Sequence, residues 1–534
     1  MFAFYIDRAR DILKRRLGLY SIILILISIL VLGIELLVPG IIKIDGPYIY
    51  FRYAQNLLDG YGFTWNRNFH PSYGITSVAY VYVVAFFRIL MPDTSPSGVL
   101  TTASSIIGFL TLPFIPFLIN KIVGDLDFKK LFLAGLTIPY LIFFGSYTFH
   151  SLNGLETILS FTGNLFFIYT VYNAARLQTT RAIFTATVSA FIIYFIRSDN
   201  AIYMFLFPYL IFYYAFEVDR KTVKLFYGYL IFFVLVDVII KYYYFHLIVP
   251  LTLFVRLSGY SQKFLSSAEW NTIEYVRIFL INALPFIIIL LFTYSSSKKK
   301  ILLPFIIPLL LTCFCFFFFI HNNGYQARYF FPSLPFIIVP AFLSLFKFMD
   351  DEEKIVKFKE KNYYIIGLVV VLIISAFIIE PFYSNSLAKS SSEYNLNKKE
   401  KIKLPLIGNW EAGEKFSDYL KKFPKNMKIA AGEPGYIGAY NPGLRIIDLT
   451  GNQDKEIAIN HEIIDYLIKE KPVMIWMPEW SNRGLNNELL MSKKFHDNYI
   501  FIPGAFNYGL AISRENPTLA KSILSDLRNI YRRD

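Results

Sequence analysis

Residues 45–74 concentrate the polar, charged and aromatic side chains of the first part of the chain, directly after its first long apolar run. Asp45 opens this stretch a few residues beyond the apolar run, at the depth of membrane head groups. A carboxylate held there can accept a proton from an attacking hydroxyl group. Asp45 also suits the N-cap of a helix, because Pro47 follows it by two residues. The two roles are compatible, so the residue type does not choose between them.

Other ionisable side chains lie at the ends of later apolar runs, on the same side of the predicted membrane domain as Asp45. Such groups close to hydrocarbon are costly and are often functional. The arginines among them can hold a phosphate through paired hydrogen bonds, although interfacial anchoring also accounts for each residue taken singly. Together they predict one polar site at the outer surface, and its members are His150, Glu156, Arg197, Asp199, His246, Arg256 and Arg328.

The elements that must position these residues are membrane-spanning helices. Of the 534 residues, 55% are hydrophobic and 18% are aromatic. A helix of about 20 apolar residues spans the ~30 Å hydrocarbon core of a bilayer. The apolar runs predict eleven such spans: Leu19–Val38, Gly98–Ile119, Leu131–Phe149, Leu155–Ala174, Ala182–Ile196, Ala201–Phe216, Leu225–Phe245, Ile278–Tyr294, Ile301–Ile320, Tyr329–Phe346 and Tyr363–Ile379.

The distribution of Lys and Arg predicts the orientation of these spans, since cytoplasmic loops are enriched in both. The same loops account for the net charge of +14 without a nucleic-acid partner. If the short aromatic stretch Ser77–Leu90 crossed the membrane, every later basic loop would face outward. We therefore predict that Ser77–Leu90 is an interfacial or re-entrant helix in a first outer loop, residues 40–96. The chain then lies in the cell (inner or plasma) membrane with its N-terminus in the cytoplasm. The tail lies on the extracytoplasmic side.

The tail is polar and mixed where the rest of the chain is apolar. Its pattern predicts strands at Lys428–Ala431, Leu444–Leu449, Val473–Met477 and Tyr499–Ile502, and a helix at Glu462–Lys469. The predicted fold is therefore an all-α polytopic membrane domain, residues 1–382, with an extracytoplasmic α/β domain, residues 383–534.

Several segments of the chain, taken in order, resemble mycobacterial arabinofuranosyltransferase-like proteins of the GT-C superfamily of integral-membrane glycosyltransferases. The first is Asp45-Gly-Pro-Tyr-Ile-Tyr-Phe-Arg-Tyr-Ala54, which resembles Asp-Asp-Ala-Tyr-Ile-x-Phe-Arg-Tyr-Ala. The others are Gly154–Thr157, Arg197–Asp199, Tyr243–Thr252, Arg328–Pro335, Gly432–Gly435 and Leu444–Gly451. Three positions depart from the family pattern: Gly46 replaces its second acidic residue, His246 a glycine and Leu251 an asparagine.

This resemblance implies a GT-C fold and a polyprenyl-phosphate-linked sugar donor. It implies a glycan, lipid or protein acceptor on the outer face, with Asp45 as the general base. No cofactor or metal is expected. The donor phosphate would be bound by arginines, of which the candidates are Arg52, Arg197, Arg256 and Arg328. Tyr48 and the aromatic residues after it would stack on sugar rings or lie in the membrane interface.

Two other functions stay open on the sequence. A lipid-linked glycan transporter would need no catalytic base, although the chain lacks the visible internal repeats of many transporters. The second open function is a catalytically inactive scaffold for envelope assembly. It stays open because Gly46 replaces the second carboxylate of the family pattern.

Overall fold

The computed structural model describes residues 43–123, 128–143, 146–257, 268–293, 299–318, 327–350, 409–478 and 483–532, together with isolated positions between 22 and 33. The predicted eleventh span, Tyr363–Ile379, lies outside the described residues, and so does most of the first, Leu19–Val38.

Before residue 351, all regular structure among the described residues is helical. Its helices are α1 Gly46–Leu58, α2 Val78–Leu90, α3 Pro96–Val123, α4 Phe128–Gly135, α5 Thr137–Phe143, α6 Tyr147–Leu152, α7 Thr157–Leu177, α8 Thr180–Ile196, α9 Ala201–Leu210, α10 Arg220–Phe245, α11 Leu251–Leu257, α12 Ala268–Thr293, α13 Lys299–Phe318 and α14 Pro335–Asp350.

Each of the nine predicted spans between residues 98 and 346 falls on one or more of these helices. One of them, Leu131–Phe149, is divided among α4, α5 and α6. Within the described residues, four helices are long and apolar enough to cross a membrane by length and composition: Pro96–Ile122, Arg220–Phe245, Tyr275–Thr293 and Phe331–Asp350. The shorter apolar helices leave the total of eleven spans a prediction.

The stretch Ser77–Leu90 forms α2, as the sequence predicts. Ser77 caps the helix, and its Oγ accepts a hydrogen bond of 3.2 Å from the backbone N–H of Tyr80. One face is buried against α1 and α3. The other face exposes Tyr82, Phe86 and Ile89, which suits the predicted position at a membrane interface.

The tail folds as a five-stranded mixed sheet with helices around it. The strands are β1 Lys428–Ala431, β2 Arg445–Asp448, β3 Met474–Trp476, β4 Tyr499–Ile502 and β5 Leu510–Ser513, in the spatial order β2-β1-β3-β5-β4. The β1 strand pairs in parallel with β2 and β3, whereas β5 is antiparallel to β3 and β4. The helices are α15 Asn409–Leu420, α16 Pro434–Tyr440, α17 Lys455–Asn460, α18 Ile463–Glu470, α19 Arg483–Leu490, α20 Lys493–Asn498 and α21 Pro517–Arg532.

The first outer loop and the tail share one hydrophobic core, which is separate from the core between the apolar helices. Arg52 joins the two parts and is only 1% exposed. Its guanidinium donates to the carbonyl oxygens of Trp65 at 2.7 Å, Gly438 at 2.9 Å and Leu444 at 2.7 Å. Buried cations are tolerated only when their donors are satisfied, so Arg52 holds the loop to the tail. It does not enter the phosphate site proposed below.

Candidate functional site

Asp45 directly precedes α1, but its side chain makes no capping hydrogen bond to that helix. The carboxylate instead accepts hydrogen bonds from the first turn of α16, in the tail. Its Oδ2 lies 2.9 Å from the backbone nitrogen of Gly435, and its Oδ1 lies 2.8 Å from that of Tyr436. Asp45 thus occupies the N-cap position of α1 as expected, but its side chain satisfies the free N–H groups of another helix.

Glycines make this close approach possible. A Cβ atom on Gly435 would lie 2.8 Å from Oδ2 of Asp45, and one on Gly438 would lie 2.8 Å from Cδ of Arg52. The two glycines are three residues apart and therefore share one face of α16. They present a smooth surface to α1, so this glycine spacing serves close packing.

The surroundings of Asp45 favour a proton acceptor that works near neutral pH. Its side chain remains partly exposed. Burial raises the pKa of the Asp45 carboxyl to about 6, against the opposing effect of the hydrogen bonds from Tyr436 and Gly435. A general base is most effective when its pKa lies close to the working pH.

A cluster of ionised side chains lies at one end of the neighbouring helices. Glu156, which is fully buried, pairs with two arginines. Nη2 of Arg328 lies 2.8 Å from its Oε1 and 3.1 Å from its Oε2, and Nη1 of Arg197 lies 3.2 Å from Oε1. Arg197 also makes a two-point contact with Asp199, at 3.0 and 2.6 Å. The structure therefore brings four of the predicted site residues together.

Tyr329 is the centre of this cluster. Its hydroxyl accepts a hydrogen bond of 2.7 Å from Nη2 of Arg256. The guanidinium carbons of Arg197, Arg256 and Arg328 lie 5.2, 5.1 and 5.4 Å from the centre of its ring. An aromatic ring attracts cations to its face, so Tyr329 allows three arginines to gather around one point.

One donor of the cluster is open to a further partner. The carboxylates of Glu156 and Asp199 hold Arg197, and Glu156 also holds Nη2 of Arg328. Nε of Arg328 is buried and has no hydrogen-bond partner within the described residues. Buried donors are nearly always paired, so this one is available to a bound anion.

The arginine cluster approaches Gly46, the residue that follows Asp45. A Cβ atom on Gly46 would be 3.8 Å from Nη1 of Arg328. Because Gly46 has no side chain, nothing from this position neutralises Arg328.

The remaining predicted residues lie around this site or away from it. Tyr48 is fully buried and packs against Trp410 at 5.7 Å and Tyr436 at 5.0 Å between ring centres. His150 is fully buried, with its Nδ1 3.2 Å from Nδ2 of Asn153. His246 is exposed and ends α10 in the left-handed conformation, with φ of 53°. Glycine is the usual residue at such a helix end, which gives a backbone reason for the glycine of the family pattern.

The sequence did not identify two residues of the site, Tyr329 and Glu433. Glu433 occupies the N-cap position of α16, next to the residues that bind Asp45. A usable signal existed for each residue. Tyr329 follows Arg328 in a family-like segment, and Glu433 follows a predicted strand in another. Among the described residues, no group of three or more His, Cys, Asp and Glu side chains is arranged to hold a metal ion.

Comparison with known proteins gives a distant structural similarity. No protein-family model matches the chain, and no curated protein matches it. Among solved structures, the chain is similar to the Archaeoglobus fulgidus oligosaccharyltransferase in complex with Zn and sulfate, with 14% sequence identity and a TM-score of 0.45. The match covers 80% of this chain and 62% of that protein, so the chain spans less than two thirds of its length. The site residues are therefore assigned from their own geometry.

Proposed function

We propose that this protein transfers a sugar from a polyprenyl-phosphate donor to an acceptor on the outer face of a membrane. The observation that carries the proposal is the buried Nε of Arg328, which has no hydrogen-bond partner within the described residues, in a side chain that approaches Gly46, the residue after Asp45. A phosphate bound by Arg328 would pair with this guanidinium, and the attached sugar would extend toward the Asp45 carboxylate.

In the proposed reaction, Asp45 and the arginines each have one role. The acceptor hydroxyl gives its proton to Asp45 as its oxygen forms a bond to the anomeric carbon of the sugar. The bond from that carbon to the phosphate oxygen breaks, and its electron pair stays on the phosphate. Charge builds on this leaving group in the transition state, where fixed arginines are most effective. Arg328 and Arg256 are the arginines that we assign to it, since Arg197 is held by two carboxylates.

The donor is tested with purified full-length protein in detergent. We expect it to bind a long-chain polyprenyl phosphate, and to bind the matching polyprenol, which has no phosphate, at least tenfold more weakly, since one charge-assisted contact contributes roughly 1.5–3 kcal/mol. Equal binding of the two lipids would refute the phosphate site. Movement of the lipid across vesicles without sugar transfer would favour the transporter.

The outer location of the site is tested by labelling. In a variant without Cys313 and Cys315, single cysteines replace two exposed lysines, Lys494 in the tail and Lys224 at the start of α10. We expect a membrane-impermeant thiol reagent to label position 494 but not position 224 in intact cells. The reverse pattern would place the site in the cytoplasm, where nucleotide sugars are the available donors.

A further inference from the structure

The carboxyl groups of Asp45 and Glu433 could each accept hydrogen bonds from the N–H groups in the first turn of α16. Glu433 is the N-cap residue of this helix, and an N-cap side chain ordinarily accepts a hydrogen bond from the second or third N–H of its own helix. Those N–H groups belong to Gly435 and Tyr436, and Asp45 already accepts both bonds. Glu433 accordingly makes no capping bond. Its carboxyl is close enough to that of Asp45 for the charge of Asp45 to act on it.

The position of Glu433 in the sheet is one at which ligands commonly bind. It follows the carboxyl end of β1 by two residues. In the spatial order β2-β1-β3, the chain runs from β1 to β2 on one side of β1 and later reaches β3 on the other side. In open α/β sheets, ligands bind outside the carboxyl ends of the strands at such a switch point. Glu433 remains partly exposed there, without a hydrogen-bond or ion-pair partner among the described residues.

The two carboxyls cannot both ionise at low cost. Burial, followed by the charge of Asp45, raises the pKa of Glu433 to about 8, whereas that of Asp45 is about 6. Asp45 therefore ionises first. Between these two values the pair holds one proton, which resides on Glu433. The two pKa values therefore describe the Asp45–Glu433 pair, because the charge of one carboxyl acts on the other.

The tyrosines near the pair and Arg328 keep a constant charge in this interval. Burial raises the pKa of each neighbouring tyrosine above its ordinary value, so the tyrosines stay neutral, and Arg328 stays positive. Glu414, on α15, accepts a hydrogen bond of 2.9 Å from Nε1 of Trp410. The tyrosines are Tyr48, Tyr436 and Tyr440.

We propose that Glu433 is the proton-holding partner of Asp45, a positioning residue through which the tail takes part in sugar transfer. The proposal rests on the proposed function, because it takes Asp45 as the base. Protonated Glu433 donates a hydrogen bond within the site while Asp45 stays ionised to receive the acceptor proton. That proton leaves Asp45 for water after the transfer, and Glu433 keeps its own throughout. When Glu433 ionises, a second negative charge opposes the departing phosphate.

The pH dependence of kcat/KM tests this role. For the wild type we expect a bell-shaped profile with limbs near pH 6 and pH 8, the pKa values of Asp45 and Glu433. Glu433→Gln keeps a neutral donor but cannot ionise, so it should retain activity at pH 7 within about threefold and lose the alkaline limb. Glu433→Ala should also lose that limb, with activity at pH 7 lowered about threefold to tenfold.

The matched control is Glu414→Gln, which removes a nearby carboxyl of α15 that is not beside Asp45. It should keep both limbs of the profile. An unchanged alkaline limb in Glu433→Gln would overturn the proposal.

A second measurement does not depend on activity. Infrared difference spectra between wild type and Glu433→Gln should show one carboxyl group that stays protonated between pH 6 and pH 8. If that band is present but no donor supports transfer, the paired carboxyls stand and the proposed function fails. If transfer occurs and the band is missing, the proposed function stands and the role of Glu433 is wrong.

Discussion

Arg328→Ala should weaken donor binding more than any other single change in the arginine cluster. The substitution removes a positive charge and the buried Nε that has no hydrogen-bond partner among the described residues. A hydrogen bond to a charged group contributes about 1.5–3 kcal/mol, so donor affinity should fall about tenfold to 150-fold. The assay is equilibrium binding of a radiolabelled polyprenyl phosphate to purified protein in detergent.

The same substitution also disturbs Glu156, and the two effects have to be separated. Arg328 donates two hydrogen bonds to this fully buried carboxylate, which then has only Arg197 as a partner. The double variant Arg328→Ala with Glu156→Gln removes the charge that was left without its partner. If Arg328 binds the phosphate directly, the double variant stays weak in donor binding. If Arg328→Ala acts only by disrupting the ion pair, the double variant recovers.

Arg88→Ala is the control, because Arg88 lies in the first outer loop but bonds to Gln55 and Thr94 and not to the cluster. It should bind the donor as the wild type does. Donor affinity within about threefold of wild type in Arg328→Ala would refute the phosphate assignment, since it is less than the loss of one charged hydrogen bond.

Three further predictions concern stability, each measured as the melting temperature of the protein in detergent. Glu156→Gln should cost about 3 kcal/mol, because it removes one partner of a buried ion pair; an unchanged melting temperature would contradict this. Gly435→Ala should cost about 1–3 kcal/mol by overpacking against Asp45, whereas Gly228→Ala, with no atom within 4 Å, should be neutral or slightly stabilising. The melting temperature should fall as pH rises from about 5 to about 8. Burial raises the pKa of four carboxyls above their unfolded values of 3.8 or 4.5, so in this interval the folded state binds more protons than the unfolded state and loses stability as they dissociate. A melting temperature that stays constant or rises over this interval would contradict the prediction. The four are Asp45, Glu433, Asp448 and Asp454.

Local patterns in the sequence predicted the elements well. The strands Lys428–Ala431 and Tyr499–Ile502 have the predicted bounds. Apolar periodicity and length carry this information, because each element buries its own stripe of side chains. The strand Leu510–Ser513 was missed. It has only four residues and completes the sheet by antiparallel pairing with β3 and β4.

The contacts that build the site are not local, and the sequence does not contain them as a pattern. Asp45 meets Gly435, which is 390 residues away along the chain, and Arg52 meets a carbonyl 392 residues away. The predicted topology placed Glu156, Arg197 and Arg328 at one membrane surface. The ends of predicted spans give this shared surface but not the contacts between the side chains. Which arginine pairs with Glu156 and which donor stays free depends on side-chain packing, and periodicity does not specify it.

The most direct test of the central claim is sugar transfer by Asp45→Asn from a radiolabelled polyprenyl-phosphate sugar, compared with the wild type. Asparagine offers one acceptor oxygen to the two N–H groups of Gly435 and Tyr436, so the folded state should lose about 1–3 kcal/mol while donor binding persists. Removal of a general base should lower the rate by about 10²–10⁴-fold. Folded Asp45→Asn protein that binds the donor and transfers sugar at that reduced rate is the predicted result. Transfer at close to the wild-type rate would contradict the account, because Asp45 would then not accept the proton.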